Sequence, residues 1–281
     1  MLSGLLAGCS LLGKGDDPYN IELRYLDWTP TTAEETDFQA AVDRWESVML
    51  EGFRDHPVTI TQAEIDAFPE AAGCAPIDET VDELVVFVRR QELVGPLAMG
   101  AVCVLDSDGH GLPLVSRLIV GEEILEGGGL EELRLGSLQH ELGHALGLTP
   151  AAWNADFDGD GVLDRELLPG HTGTCPANSA LTFAGPQAAA AYQALGGTGD
   201  VPMEPGPTAT GQVDGSGCVH LSETTFGDAL MSPFGDGAMP VTSVTLGMLA
   251  DMGYPVDMSA ADAYVLPALR ESSDSGDSGT R

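Results

Sequence analysis

His140-Glu141-Leu142-Gly143-His144 is the stretch on which the reading of this chain turns. It lies within Leu130–Leu146, where Leu135, Leu138, Leu142 and Ala145 recur near one face. That spacing predicts a helix, entered through the triple glycine at 127–129 and ended by Gly147 as a C-cap glycine. On a helix, residues four apart share a face, so both imidazoles can meet one metal ion. Zinc suits two neutral imidazoles and keeps a coordination position for water. Glu141 follows His140 directly, which puts it near that water without making it a ligand, the place of a general base for attack on a carbonyl. A third ligand is needed. The next glycine, Gly147, is in register for a histidine three residues further on, but Pro150 stands there and cannot bind metal. His171 and His220 are the downstream candidates, whereas His56 and His110 read as surface histidines.

Outward from the motif, Ile21–Leu26 alternates as a strand does. Thr32-Ala33-Glu34-Glu35 reads as a capping box with Thr32 as the cap. It opens a helix to about Phe53, whose buried face is Phe38, Ala41, Val42, Trp45, Val48 and Met49. β-Rich runs at Val58–Thr61, Leu84–Val88, Gly100–Leu105 and Leu114–Val120 predict a mixed sheet, and the fold class is α+β. Downstream, 149–219 is rich in Gly, Pro, Ala and Asp, with only Gln187–Leu195 helical in pattern. Ser243–Met252 is a last short helix, capped by Ser243 and ended by Gly253. The organisation expected is a leader and tether over 1–19, an N-terminal subdomain over 20–148, a loop-rich C-terminal subdomain over 149–270 and a disordered tail over 271–281.

The chain carries 44 acidic and 11 basic residues, a formal net charge of −33. Such a surface repels nucleic acid and anionic membrane, and its carboxylates suit divalent cations. Leu6-Ala7-Gly8-Cys9 resembles a bacterial lipobox, so Cys9 is a candidate for lipidation and the cell envelope or the exterior is the expected location. Cys74, Cys103, Cys175 and Cys218 contain no CxxC pair, which argues against a cysteine zinc site. Four cysteines in an exported chain suggest two disulfides. Of the three pairings, the sequential one, Cys74–Cys103 and Cys175–Cys218, is favoured.

With those features in hand, the sequence resembles the leishmanolysin family of metzincins over about residues 22–267. The resemblance rests on Cys218-Val219-His220 leading to Gly227-Asp228-Ala229-Leu230-Met231-Ser232-Pro233, similar to the family's histidine and following "LM" turn. It rests further on Ser243-Val244-Thr245-Leu246-Gly247-Met248-Leu249-Ala250-Asp251-Met252-Gly253-Tyr254, and on Phe38–Glu46, which looks like the family's first helix. The resemblance implies a metzincin-type zincin: a twisted mixed sheet, a long helix, an active-site helix and a C-terminal subdomain with a Met-turn. It implies His140, His144 and His220 as zinc ligands, Glu141 as base, Gly147 turning the chain beneath the metal, and Met231 supporting the site without binding it. Leu221 stands where the family has an aromatic residue after the third histidine, and no cysteine-switch propeptide is evident.

A second motif, Asp156-Phe157-Asp158-Gly159-Asp160-Gly161-Val162-Leu163-Asp164, resembles the start of an EF-hand loop and makes Asp156, Asp158, Asp160 and Asp164 candidate calcium ligands. The reading as a whole is a monomeric zinc-dependent endopeptidase acting on protein or peptide substrates. A catalytically inactive, calcium-braced surface lipoprotein or adhesin on a protease fold is the alternative, and a metal-dependent hydrolase of a non-peptide bond is a third.

Overall fold

A computed structural model describes residues 18–67, 72–107, 111–157, 160–206, 216–235 and 239–267. The expected lipidation site Cys9 and the C-terminal tail, with His110 and Asp158, lie outside them. In chain order the elements are β1 (Ile21–Leu26), α1 (Thr32–Glu46), β2 (His56–Ile60), α2 (Gln62–Ala67), β3 (Ile77–Val81), β4 (Leu84–Gln91), β5 (Ala98–Leu105), β6 (Pro113–Gly121) and α3 (Arg134–Ala145). Then come α4 (Pro150–Trp153), β7 (Asn154–Ala155), β8 (Arg165–Glu166), β9 (Thr182–Phe183), α5 (Pro186–Ala194), β10 (Val201–Pro202), α6 (Glu223–Phe226) and α7 (Ser243–Met252). The class is α+β, with a mixed sheet and several helices.

The main sheet has the order β1-β4-β6-β5. β1, β4 and β6 run parallel and β5 returns antiparallel along the edge. β4 reads Leu-Val-Val-Phe-Val without alternation because both its faces are covered. Leu84, Val86 and Val88 join the large core under α1 and α3, while Val85 and Phe87 join a smaller one with Val58, Ile77, Val81 and Val115. The second cluster corrects one expectation: β2 does not enter the main sheet but pairs only with β3. That ribbon lays its apolar side on the sheet's outer face, where each fully buried Val or Ile contributes about 1.5–3 kcal/mol.

α1 starts one residue earlier than the pattern suggested. Thr31 is the N-cap, its hydroxyl accepting from Glu34 N, and the Glu34 carboxylate accepts from Thr31 N at 2.7 Å. The helix stops at Glu46 rather than near Phe53, because the backbone beyond it pairs elsewhere. Leu50 N donates to Pro255 O, and Asp257 N donates to Val48 O. Phe38, Ala41, Val42, Trp45 and Val48 are buried as expected. In α3, Leu138, Leu142 and Ala145 are buried but Leu135 is 36% exposed, so Leu135 does not belong to the inner face. α7 is capped by Thr242 rather than Ser243 and closed by Gly253 at φ +109°. His56 is buried and lies 3.7 Å from the Asp106 carboxylate, contrary to the expectation of a surface histidine.

Both disulfides have the sequential pairing, Cys74–Cys103 and Cys175–Cys218, which suits an oxidising or extracellular environment. Among the described residues no helix is long and apolar enough to cross a membrane.

Candidate metal centre

α3 is set by contacts along its length. The Trp45 indole donates to Gln139 O at 2.8 Å, Ser116 Oγ to Ala145 O at 2.7 Å, and the Tyr254 hydroxyl to Leu146 O at 3.0 Å. Gly147 then takes φ +92°, and a Cβ there would stand 2.7 Å from Met252 and 3.1 Å from Pro113. The chain turns there as the sequence implied, and Leu148 O comes back within 2.8 Å of His144 Nδ1.

Three imidazoles converge. The Nε2 atoms of His140 and His220 are 3.0 Å apart, and that of His144 is 3.1 Å from each. Every Nδ1 faces a backbone carbonyl: Leu230 O for His140, Leu148 O for His144 and Ser216 O for His220. Those bonds place the ring protons on Nδ1, so that the three Nε2 lone pairs point at one another. Three acceptors at such distances repel one another unless a cation sits among them. The triangle also matches one face of a site whose ligand nitrogens lie about 2.0–2.1 Å from the ion. His140, His144 and His220 therefore form a group that can hold a metal ion. His171 is not part of it, and among the described residues no other such group of three exists.

Burial supports the ligand state. It lowers His140 to about 4, partly countered by the Leu230 carbonyl bond. His144 falls well below the usual histidine range through burial and then through its two histidine neighbours. Both rings are thus neutral at neutral pH, as ligation requires. Glu141 moves the other way: burial pushes its carboxyl up to about 7, partly offset by the Gly100 N–H that donates to Oε2 at 2.5 Å. Gly100 lies on the edge strand β5, and a Cβ there would fall 2.1 Å from Glu141 O. Only glycine lets the strand press so closely on the helix that carries Glu141.

The segment Leu230-Met231 links the two sources of ligands. Leu230 O orients His140, and Met231 O accepts from Leu221 N, next to His220, at 2.8 Å. The buried Met231 sulfur packs under the helix, 2.7 Å from where a Cβ on Gly143 would lie. Spacing named His140, Glu141, His144 and the turn at Gly147, and the family resemblance named His220 and Met231. They did not reveal the three orienting carbonyls or Gly100, since a backbone acceptor carries no residue signature.

The acidic loop is organised differently. Asp156 accepts from Asp160 N and Gly161 N at 3.2 and 2.8 Å, Asp160 from Val162 N at 2.8 Å, and Asp164 from Phe157 N at 2.7 Å. These carboxylates brace the turn itself, and Asp156, Asp160 and Asp164 do not form a metal-capable group among the described residues.

No protein-family model matches this chain, and no curated protein matches it.

Proposed function

We propose that the chain is a zinc-dependent endopeptidase of the leishmanolysin-like metzincin type. The observation that carries this reading is the convergence of three Nδ1-anchored imidazoles, with the half-buried Glu141 carboxyl, one residue on from His140, held by the edge strand. Zinc in that triangle supplies Lewis acidity and a water of lowered pKa. The residues of the chain do the rest. Glu141 takes the proton of the attacking water and delivers it to the leaving amine. The Gly100 N–H holds the carboxyl in place. An extended peptide adds to the sheet at the free edge of β5, near Gly100–Leu105, so that its scissile bond lies across the three histidines. Met231 and Leu230 hold the floor and the His140 ring. Cys9 as a lipid anchor in a bacterial envelope completes the proposal.

Glu141→Gln tests it. The variant retains zinc and loses casein or gelatin cleavage by about 10²–10⁴-fold. Cleavage at the wild-type rate by this variant, or a zinc-loaded wild-type chain that cuts no peptide, counts against the reading.

A further inference from the structure

His140 and His144 are held by a helix, but His220 is held by a turn. Residues 216–220 belong to no helix or strand. Their position comes from backbone bonds to the 202–206 segment: Cys218 N to Glu204 O, Glu204 N to His220 O, both 2.8 Å, and Ser222 N to Pro202 O at 3.0 Å. It also comes from one covalent bond, Cys175–Cys218, two residues before the ligand. Cys218 is fully buried at φ +62°, a left-handed conformation that a residue with a Cβ resists unless its surroundings impose it. The packing around the sulfurs is built for this bond. A Cβ on Gly206 would meet Cys175 Sγ at 3.0 Å and Pro176 O at 2.0 Å, and one on Gly217 would meet Cys175 Sγ at 3.2 Å. Ser216 O, which orients the His220 ring, lies on the same turn. The Cys74–Cys103 bond, in contrast, belongs to the sheet's outer side, where Cys103 packs on the small cluster.

We propose that Cys175–Cys218 is a redox-sensitive clasp on the third metal ligand, so that metal retention depends on its oxidation. Cys175 is half-buried and Cys218 fully buried, so Cys175 is the more accessible of the two to a small dithiol. A reductant thiolate attacks Cys175 Sγ, the S–S bond breaks, and Cys218 leaves as a thiolate that takes up a proton. The second thiol of the reductant then closes on the first, releasing Cys175 as a thiol, with the reductant oxidised to its cyclic disulfide. Freed from the clasp, Cys218 relaxes from its left-handed conformation, Ser216 and His220 move with it, and two imidazoles remain to hold the ion. In a reducing compartment the site stays incomplete, and oxidation after export completes it. The inference rests on the three-histidine metal reading.

The test is zinc affinity of the full chain by chelator competition, comparing the oxidised wild type with Cys175→Ser/Cys218→Ser and Cys74→Ser/Cys103→Ser. Opening the clasp is expected to weaken zinc binding by about 10–100-fold, the range for lost ligand-orienting partners. Opening Cys74–Cys103 is expected to leave it within about twofold. A clasp-free chain with wild-type circular dichroism and wild-type zinc affinity overturns the proposal. Should that variant not fold, zinc-loaded wild-type chain is exposed to a phosphine reductant, and zinc release is timed against alkylation of each cysteine. Release in step with Cys175 and Cys218 supports the clasp. Zinc that stays bound after that bond has opened, or leaves with Cys74–Cys103, overturns it. An oxidised wild type without zinc is a different result, because it removes the metal reading itself.

Discussion

The two halves of the molecule bring ligands to one point by different physics. In the half before Leu148, hydrogen-bonded regular structure does it: α3 places His140 and His144 on one face, and Trp45 and Ser116 fix the helix axis. In the half after it, strands are two residues long, α4 and α6 are single turns, and His220 sits on a turn tied down by a disulfide and by backbone pairing between irregular segments. Local periodicity can position two ligands, but the third needs long-range closure. The difference predicts where the site is robust and where it is fragile.

The largest effect separates the candidates for third ligand. His220→Ala is expected to weaken zinc binding by more than about 10²-fold and to abolish peptidase activity, since the remaining imidazoles leave the sphere open. His171→Ala should change neither beyond about twofold, because His171 lies outside the cluster. Chelator competition and casein hydrolysis check both. Equal effects from the two variants would break the comparison.

Next comes the contact between edge strand and helix. Gly100→Ala drives a methyl into Glu141 O, a backbone atom that cannot step aside. The expected cost is about 1–3 kcal/mol of stability, with at least a tenfold loss in kcat/KM. Gly143→Ala meets the flexible end of Met231 together with the Trp45 ring, and the methionine can re-pack, so its cost should be the smaller of the two. Denaturant titration of both variants measures the ordering.

The Cys74–Cys103 bond closes a separation of 29 residues. Removing it is expected to lower stability by about 2–4 kcal/mol with the zinc stoichiometry unchanged, measured by thermal unfolding and metal analysis.

An effect of a different kind, one of pH, concerns Glu83, whose carboxyl is pushed up to about 8 by burial and by its neighbour Asp82. Between the ordinary carboxylate range and that value the folded chain binds more protons than the unfolded one. This contribution to stability is therefore present at acid pH and is lost as pH rises toward about 8. Glu83→Gln should flatten the fall in Tm between pH 5 and pH 8, a window read directly by calorimetry.

How much of this was legible in the sequence follows the same division. β1, β4, β5, β6, α3 and α7 were visible because alternation, apolar runs and the heptapeptide-scale spacing of α3 are local signals. α1 was visible but overextended, since nothing in Ser47–Phe53 announces that Val48 and Leu50 pair with 255–257. β3 was missed: Ile77-Asp78-Glu79-Thr80-Val81 has apolar residues only at its ends, and it becomes a strand by pairing with β2. In the second half, Pro186–Ala194 was close to its predicted span, yet the short strands around it have no periodicity to read. The site divides likewise. Spacing gave His140, Glu141 and His144, and the resemblance rather than any spacing pointed to His220. Leu230 O, Leu148 O and Ser216 O are backbone groups that any residue supplies, so only the folded chain reveals them.

The most direct measurement is metal analysis of the oxidised full chain after equilibration with zinc at neutral pH, joined to X-ray absorption at the zinc edge. One zinc per chain with three nitrogen neighbours at about 2.0–2.1 Å is expected, falling to two on His220→Ala. A chain that keeps no zinc after dialysis, or a zinc shell unaltered by that substitution, contradicts that expectation.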